Sequence, residues 1–199
     1  MFHRLAVGEE ESIIVTRVRI ESLNPLREMS SPKEASEQSM SRVPVPIYAV
    51  VLILIEDGGR YVLIQEAMPE RGYPWFIPAG VVEPGESIVE ATKRETLEEA
   101  GLVVEPRDIL RIEHFIPYGQ DQRHPAAELW RYVIAAEATG GKLKTTADEH
   151  SLQARWFRPE ELGSLKLRSD EVFDLIEMRR RGAPALPIEA YVSRLAHLR

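Results

Sequence analysis

"GVVEPGESIVEATKRETLEEAGL", Gly80 to Leu102, decides how this chain is read. It holds six glutamates, and Glu95, Glu98 and Glu99 fall within five residues. Ser87-Ile88-Val89-Glu90 has the form of a capping box, in which the serine and the glutamate three residues on cap each other's backbone N–H. Gly101 stands where a left-handed C-cap is expected, with Leu102 after it to pack back. The spacing therefore predicts a helix over about Ile88 to Ala100. At about 3.6 residues per turn, Glu95, Glu98 and Glu99 share one face. Val89, Thr92, Thr96 and Ala100 share another, which can pack on a sheet. Arg94 lies beside the acidic face and neutralises part of it.

A charged helix face is ordinarily a solvated one. Here Glu95 and Glu99 are like charges at i,i+4, which repel by about a few tenths of a kcal/mol. The stretch before the helix, "IPAGVVEPGES", is irregular and adds Glu86. Such a loop leading into an acidic helix forms a cup. Its backbone carbonyls and the helix carboxylates are hard oxygen ligands, the set that Mg²⁺ or Mn²⁺ prefers.

The rest of the chain bounds the reading. Its 199 residues are 44% hydrophobic and 29% charged, which suits one globular domain with a tail. The absence of cysteine excludes disulfides, thiolate metal sites and cysteine nucleophiles. A net charge of −7 argues against a general nucleic-acid binder but not against a small phosphorylated ligand, because a bound cation reverses the local sign. The longest apolar run, Val45 to Ile55, is strand-sized rather than membrane-spanning. "MFHRLAVGEEES" turns acidic too soon for a signal peptide. The expectation is a soluble, cytoplasmic protein.

Residues 12–20, "SIIVTRVRI", read as a strand, and Glu21 to Arg42 as a polar linker or disordered segment. Beyond that, "IYAVVLILI" reads as a central strand apolar on both faces, "EDGGR" as a hairpin turn and "YVLIQEA" as its return strand. "YPWFIPAGVV", "ILRIEHFIP", "ELWRYVIAAEA" and "SLQARWF" are further extended segments. "SDEVFDLIEMRRRG" reads as a helix capped by Ser169 and closed by Gly182, and "PIEAYVSRLAHL" as a second helix starting at Pro187. Strands dominate, so the class is α+β, or an α/β/α sandwich on a mixed sheet.

Glycine, five residues, glutamate, seven residues, then Arg-Glu-x-x-Glu-Glu-x-Gly is similar to the signature of the Nudix hydrolases. It matches at Gly80, Glu86, Arg94, Glu95, Glu98, Glu99 and Gly101. At roughly 7% per fixed residue, such a match arises by chance at about 10⁻⁸ per starting position. Leu102 supplies one of the aliphatic positions, and Thr96 is a small departure at the other. The resemblance covers about Val45 to Leu162. It implies an α/β/α sandwich with a mixed sheet over 43–165, an N-terminal arm or disordered segment over 1–42, and C-terminal helices over 166–199 packed on the domain. It also implies hydrolysis of a nucleoside diphosphate linked to another moiety, with Mg²⁺ or Mn²⁺. Glu95, Glu98, Glu99 and the Gly80 carbonyl would hold metal, Arg94 would hold the glutamates, and Glu86 would steady the loop or bind metal through water.

The general base is either a signature glutamate or a residue on a later loop. "TADEHSLQARWF" is such a loop, and Glu149 is the choice there, with Asp148 and Glu128 behind it. His150 and His114 are weaker candidates. The chain resembles Nudix enzymes acting on oxidised purine nucleotides, on diadenosine polyphosphates and, through Pro117, on ADP-ribose. Candidate base-binding aromatics are Trp75, Phe115, Tyr118 and Trp130, of which at least two are expected to fill the core. Arg71 and Arg131 are candidate phosphate contacts. The partner implied is a small nucleotide-like diphosphate, with no polymeric nucleic acid, no membrane, and a homodimer through "SIIVTRVRI". The alternatives are a non-catalytic Nudix-fold sensor for a nucleotide or ADP-ribose, against which the intact signature counts, and an isomerase, which in its commoner form needs the cysteine this chain lacks.

Overall fold

The computed structural model describes residues 46–116 and 127–194. The expected strand over 12–20, the linker to Arg42, Pro117 and Tyr118 lie outside these residues. β1 (Ile47–Asp57) and β2 (Arg60–Glu66) form an antiparallel hairpin. Its turn places Gly58 and Gly59 at φ of 55° and 74°, a conformation that suits glycine and twists with the strands. β3 (Trp75–Phe76) pairs with β2, and β4 (Ala79–Val81) with β1. β5 (Leu102–Phe115) and β6 (Glu128–Gly141) are long antiparallel partners, and β6 lies parallel to β1. β7 (Ser151–Phe157) pairs with β2, and β8 (Leu186–Pro187) with β5. The sheet is mixed, as expected.

β1 carries two cores. Val51, Ile53 and Ile55 pack with Ile88, Ala91 and Ala100 on one side. Leu52 and Leu54 pack with Val172, Leu175 and Ile176 on the other. Period-two alternation thus buries both faces of the strand and sandwiches the sheet between helical layers. The first layer is α1 (Ile88–Glu95) with the turn that follows it, and the second is α2 (Glu171–Arg180). Ser169, just before the N-cap Asp170, accepts from the Glu171 N–H, and Gly182 follows α2 at φ 63°.

Two expectations need correction. The acidic helix is not one α-helix to Ala100. It runs as α1 to Glu95 and then widens into a π-turn over Thr96–Ala100. The second C-terminal helix is absent over 187–194. Leu186–Pro187 instead pairs with Asp108 and Ile109 on β5, and a single 3₁₀ turn follows at Ile188–Ala190. Pro187 is extended, and Ile188 and Tyr191 pack against the core, so pairing at the sheet edge outweighs local helix propensity.

The capping box forms as read. The Ser87 hydroxyl accepts from the Glu90 N–H at 3.2 Å, and the Glu90 carboxylate accepts from the Ser87 N–H at 2.8 Å. Ser87→Ala is expected to cost about 1 kcal/mol of stability. Urea unfolding checks this, and an unchanged midpoint would deny the cap its role.

Candidate active site

The site lies where β4 meets the end of α1. β1 fixes Gly80 opposite Val51, and the Ala79 N–H donates to Glu99 Oε2 at 2.9 Å. The Gly80 Cα faces Glu95 so closely that an added Cβ would lie 1.8 Å from Glu95 Oε1. Only glycine allows this approach. The π-turn separates the three glutamates. Glu95 and Glu99 are buried at 8% and 3% exposure, whereas the Glu98 side chain is 46% exposed.

Arg94 ties the loop to the helix. It donates to both oxygens of Glu86 at 2.8 Å, to Glu95 Oε1 at 2.7 Å and to the Val81 carbonyl at 2.9 Å. Glu98 is a longer contact at 3.4 Å. Glu86 also accepts from the Glu83 N–H at 3.0 Å, which braces the turn before the helix. The hydrogen bond from Arg94 holds the Glu86 carboxyl below its usual range, and the guanidinium is held charged in return. Burial pushes Glu95 up despite Arg94 beside it. Burial pushes Glu99 well above its usual range, because a single N–H donor and distant charges offset little of the desolvation.

A buried carboxylate with so little compensation is costly on its own. Among the described residues no three acidic or histidine side chains already converge as a metal cage. Arg94 stands between Glu86, Glu95 and Glu98. The donors nevertheless fit a divalent cation. They are hard carboxylate oxygens, they carry excess negative charge, and the glycine leaves Glu95 room beside the Gly80 backbone.

The later loop reaches the same place. The Ser151 hydroxyl donates to the Glu99 carbonyl at 2.7 Å, and Lys144 Nζ to the Glu98 carbonyl at 2.8 Å. Glu149 is 81% exposed on this loop, with the His150 Nε2 at 3.9 Å from its carboxylate. Asp148 is a brace rather than a base. Burial opposes its charge, but Lys144 and the N–H groups of His150 and Ser151 hold it down to about 2. Glu128 is occupied by His114 at 3.0 Å.

The aromatics do not assemble into one platform. Trp75 is corrected from a stacking candidate to a core residue, 8% exposed with Phe157 edge-on at 4.9 Å. Phe115 lies under the Arg131 guanidinium, and Trp130 stacks on His114 at 4.8 Å. His114 and Phe115 are consecutive on β5, as Trp130 and Arg131 are on β6, so the two pairs point to opposite faces of the sheet. They cannot clamp one base together. Trp130, 41% exposed, keeps the freer ring. Arg131 is taken up by Glu113 and Glu171, and the charge of Arg71 reaches Glu66.

Glu66 and Arg168 are the site neighbours that the sequence reading did not single out. Arg168 Nη1 donates to Glu66 Oε1 at 2.6 Å, and its guanidinium lies 3.4 Å over the Phe76 ring. Their separation of 102 residues leaves no local signal. Glu66 within the apolar strand segment "LIQEAM" was the only trace, since "LKLRSD" around Arg168 is itself polar.

With this geometry in place, the comparisons fix the family. A family model for the NUDIX domain matches residues 45–176. This chain belongs to the Nudix family. It is 41% identical over 134 residues to the Homo sapiens 8-oxo-dGDP phosphatase NUDT18, covering 66% of this chain and 38% of that protein. It is 26% identical over 157 residues to an ADP-ribose pyrophosphatase of Methanocaldococcus jannaschii, covering 77% of this chain and 88% of that one. Among solved structures, a NUDIX hydrolase from Nitrosomonas europaea superposes with a TM-score of 0.63 at 25% identity, over 75% of this chain and 97% of that one. The chain spans less than half the length of the curated 8-oxo-dGDP phosphatases it matches. None of the described helices is long and apolar enough to cross a membrane.

Proposed function

We propose that this chain is a pyrophosphohydrolase that uses Mg²⁺, or Mn²⁺, to cleave a nucleoside diphosphate derivative, with 8-oxo-guanine nucleoside diphosphate first among its substrates. The observation that carries the reading is Glu99, a carboxylate buried at 3% exposure against one N–H donor, whose charge a bound cation would compensate. The likeness to the 8-oxo-dGDP phosphatases supports the choice of substrate. Dinucleoside polyphosphates and ADP-ribose stand next.

Glu95, Glu98 and Glu99 would hold the metal in this reading, with the Gly80 carbonyl as a further ligand. A bound divalent cation neutralises phosphate oxygens and lowers the pKa of water. Glu98, at the rim with only a long contact to Arg94, would be free to join that set, while Arg94 holds Glu86 and the loop in place. Helix-borne ligands limit misplacement of the reacting groups. Water attacks one phosphorus, the bridging P–O bond breaks, and the water's proton passes to a carboxylate. For a nucleoside diphosphate the products are the monophosphate and inorganic phosphate. Glu149, exposed on the loop that Ser151 and Lys144 pin to the helix end, is the proposed acceptor. Glu149→Gln is expected to lower kcat by about 10²-fold with KM little changed. A wild-type kcat would return the role to a signature glutamate.

A panel of 8-oxo-dGDP, dGDP, ADP-ribose and diadenosine polyphosphates with Mg²⁺ or Mn²⁺ tests the function. Turnover of none of them would sink it, and tight binding of one without cleavage would favour the sensor reading. The arm over 1–42, the domain over 43–165, a homodimer through residues 12–20 and a cytoplasmic setting belong to the same proposal. Light scattering of the full chain and of a chain lacking residues 1–42 tests the dimer. A monomer in both would remove it.

A further inference from the structure

Glu66, buried, and Arg168, partly buried, form an ion pair near the helix end that leaves one carboxylate oxygen unused. Glu66 Oε1 accepts from Arg168, but Glu66 Oε2 is sealed from solvent with no hydrogen-bond partner among the described residues. A buried acceptor without a donor is destabilising. The pair is nevertheless firmly built. The Arg168 N–H donates to the Trp75 carbonyl and the Trp75 N–H to the Lys166 carbonyl, which fixes Arg168 alongside β3. The Phe76 ring lies against its guanidinium.

The pair lies one residue removed from the groups that hold Glu99 and within Coulombic range of it. Glu66 is opposite Ser151 in the β2–β7 ladder, and the Ser151 hydroxyl holds the Glu99 carbonyl. Phe76, under the guanidinium, is three residues before Ala79, whose N–H holds the Glu99 carboxylate. Arg168 therefore has two buried carboxylates within its field, Glu66 and Glu99, and it hydrogen-bonds to Glu66. A guanidinium so far withdrawn from water favours a carboxylate partner.

We propose that Glu66 is a positioning residue that sequesters Arg168 and so keeps the guanidinium from capturing Glu99. The cost of the unpartnered Glu66 oxygen is tolerated because the Glu99 carboxylate stays open to a cation. This rests on Glu99 being a metal ligand, as proposed above. Removing Glu66 should turn Arg168 toward Glu99, where it competes with the metal. Removing Arg168 as well should relieve that competition.

The experiment is Mn²⁺ binding to the full chain, read by electron paramagnetic resonance, in wild type, E66Q and E66Q/R168M, with melting temperatures alongside. E66Q is expected to weaken Mn²⁺ binding at least tenfold, and E66Q/R168M to return it to within about threefold of wild type. If E66Q does not fold, E66D, which withdraws the carboxylate by one methylene, should weaken binding at least threefold, and R168M in that background should restore it. Equal Mn²⁺ affinity in wild type and the folded Glu66 variant would overturn the inference while leaving the metal site standing. So would weakened binding that R168M fails to restore. A wild-type chain that binds no Mn²⁺ would overturn both the inference and the function on which it rests.

Discussion

Replacing Glu99 with glutamine is expected to lower turnover at least about 10²-fold, the scale on which loss of a preorganised electrostatic group acts. The same change should stabilise the metal-free protein. Glutamine keeps an oxygen to accept from the Ala79 N–H, as Glu99 Oε2 does at 2.9 Å, but carries no charge into the core. The sign follows from the direction of the shift. Burial raises the Glu99 carboxyl above its ordinary 4.5, so the unfolded chain ionises first as pH rises. Stability is therefore fullest below the ordinary carboxylate range and is lost as pH climbs through it toward the folded value. Glu95 acts in the same direction. At neutral pH and without metal, E99Q should melt about 2–6 °C above wild type, with the gap closing in acid. Scanning calorimetry with chelator across this range checks it. A variant that is both inactive and less stable would mean that Glu99 is a structural residue.

Gly80→Ala carries the second large effect. The new methyl would lie 1.8 Å from Glu95 Oε1 and 1.9 Å from its Cδ, closer than any contact permits. Glu95 has little freedom to give way, since its side chain is 11% exposed and bound to Arg94 at 2.7 Å. Either β4 moves away from α1 or Glu95 swings out. Overpacking of this kind costs about 1–3 kcal/mol, and misplacing a catalytic group by about 1 Å costs up to about 10²-fold in rate. Gly163→Ala is the control, because its Cβ meets nothing within 4 Å. Turnover and urea unfolding should leave G163A near wild type and G80A well below it. Wild-type behaviour of G80A would remove the close approach from the account of the site.

How much of this could be read beforehand depends on the range of the signal. The capping box, the Gly58-Gly59 turn, the two-faced central strand and the left-handed Gly101 are local patterns, and each was legible. The π-turn was not. It follows from fitting Thr96 and Ala100 into the core, both fully buried, while Gly101 closes against the Lys142 carbonyl. Nor was the short β8, because Pro187 is as compatible with a helix start as with an edge strand, and only β5 decides between them. In the site, Gly80, Glu86 and Arg94 come together through spacing on one loop and helix. Glu66, Ser151 and Arg168 come from three separate elements, and only the folded sheet brings them to Glu99. The aromatic candidates failed to combine for a related reason. Their facing depends on strand parity and on the bulges in β5, which the composition does not reveal.

Hydrolysis of 8-oxo-dGDP by the wild-type chain, followed by release of inorganic phosphate before chelation, after EDTA and after return of Mg²⁺, bears most directly on the function. Turnover is expected with Mg²⁺, to vanish with EDTA, to recover when Mg²⁺ is restored, and to be at least about 10²-fold lower in E99Q wherever Mg²⁺ is present. Phosphate release that survives EDTA, or that is equal in wild type and E99Q, would contradict a metal site built on the buried glutamates.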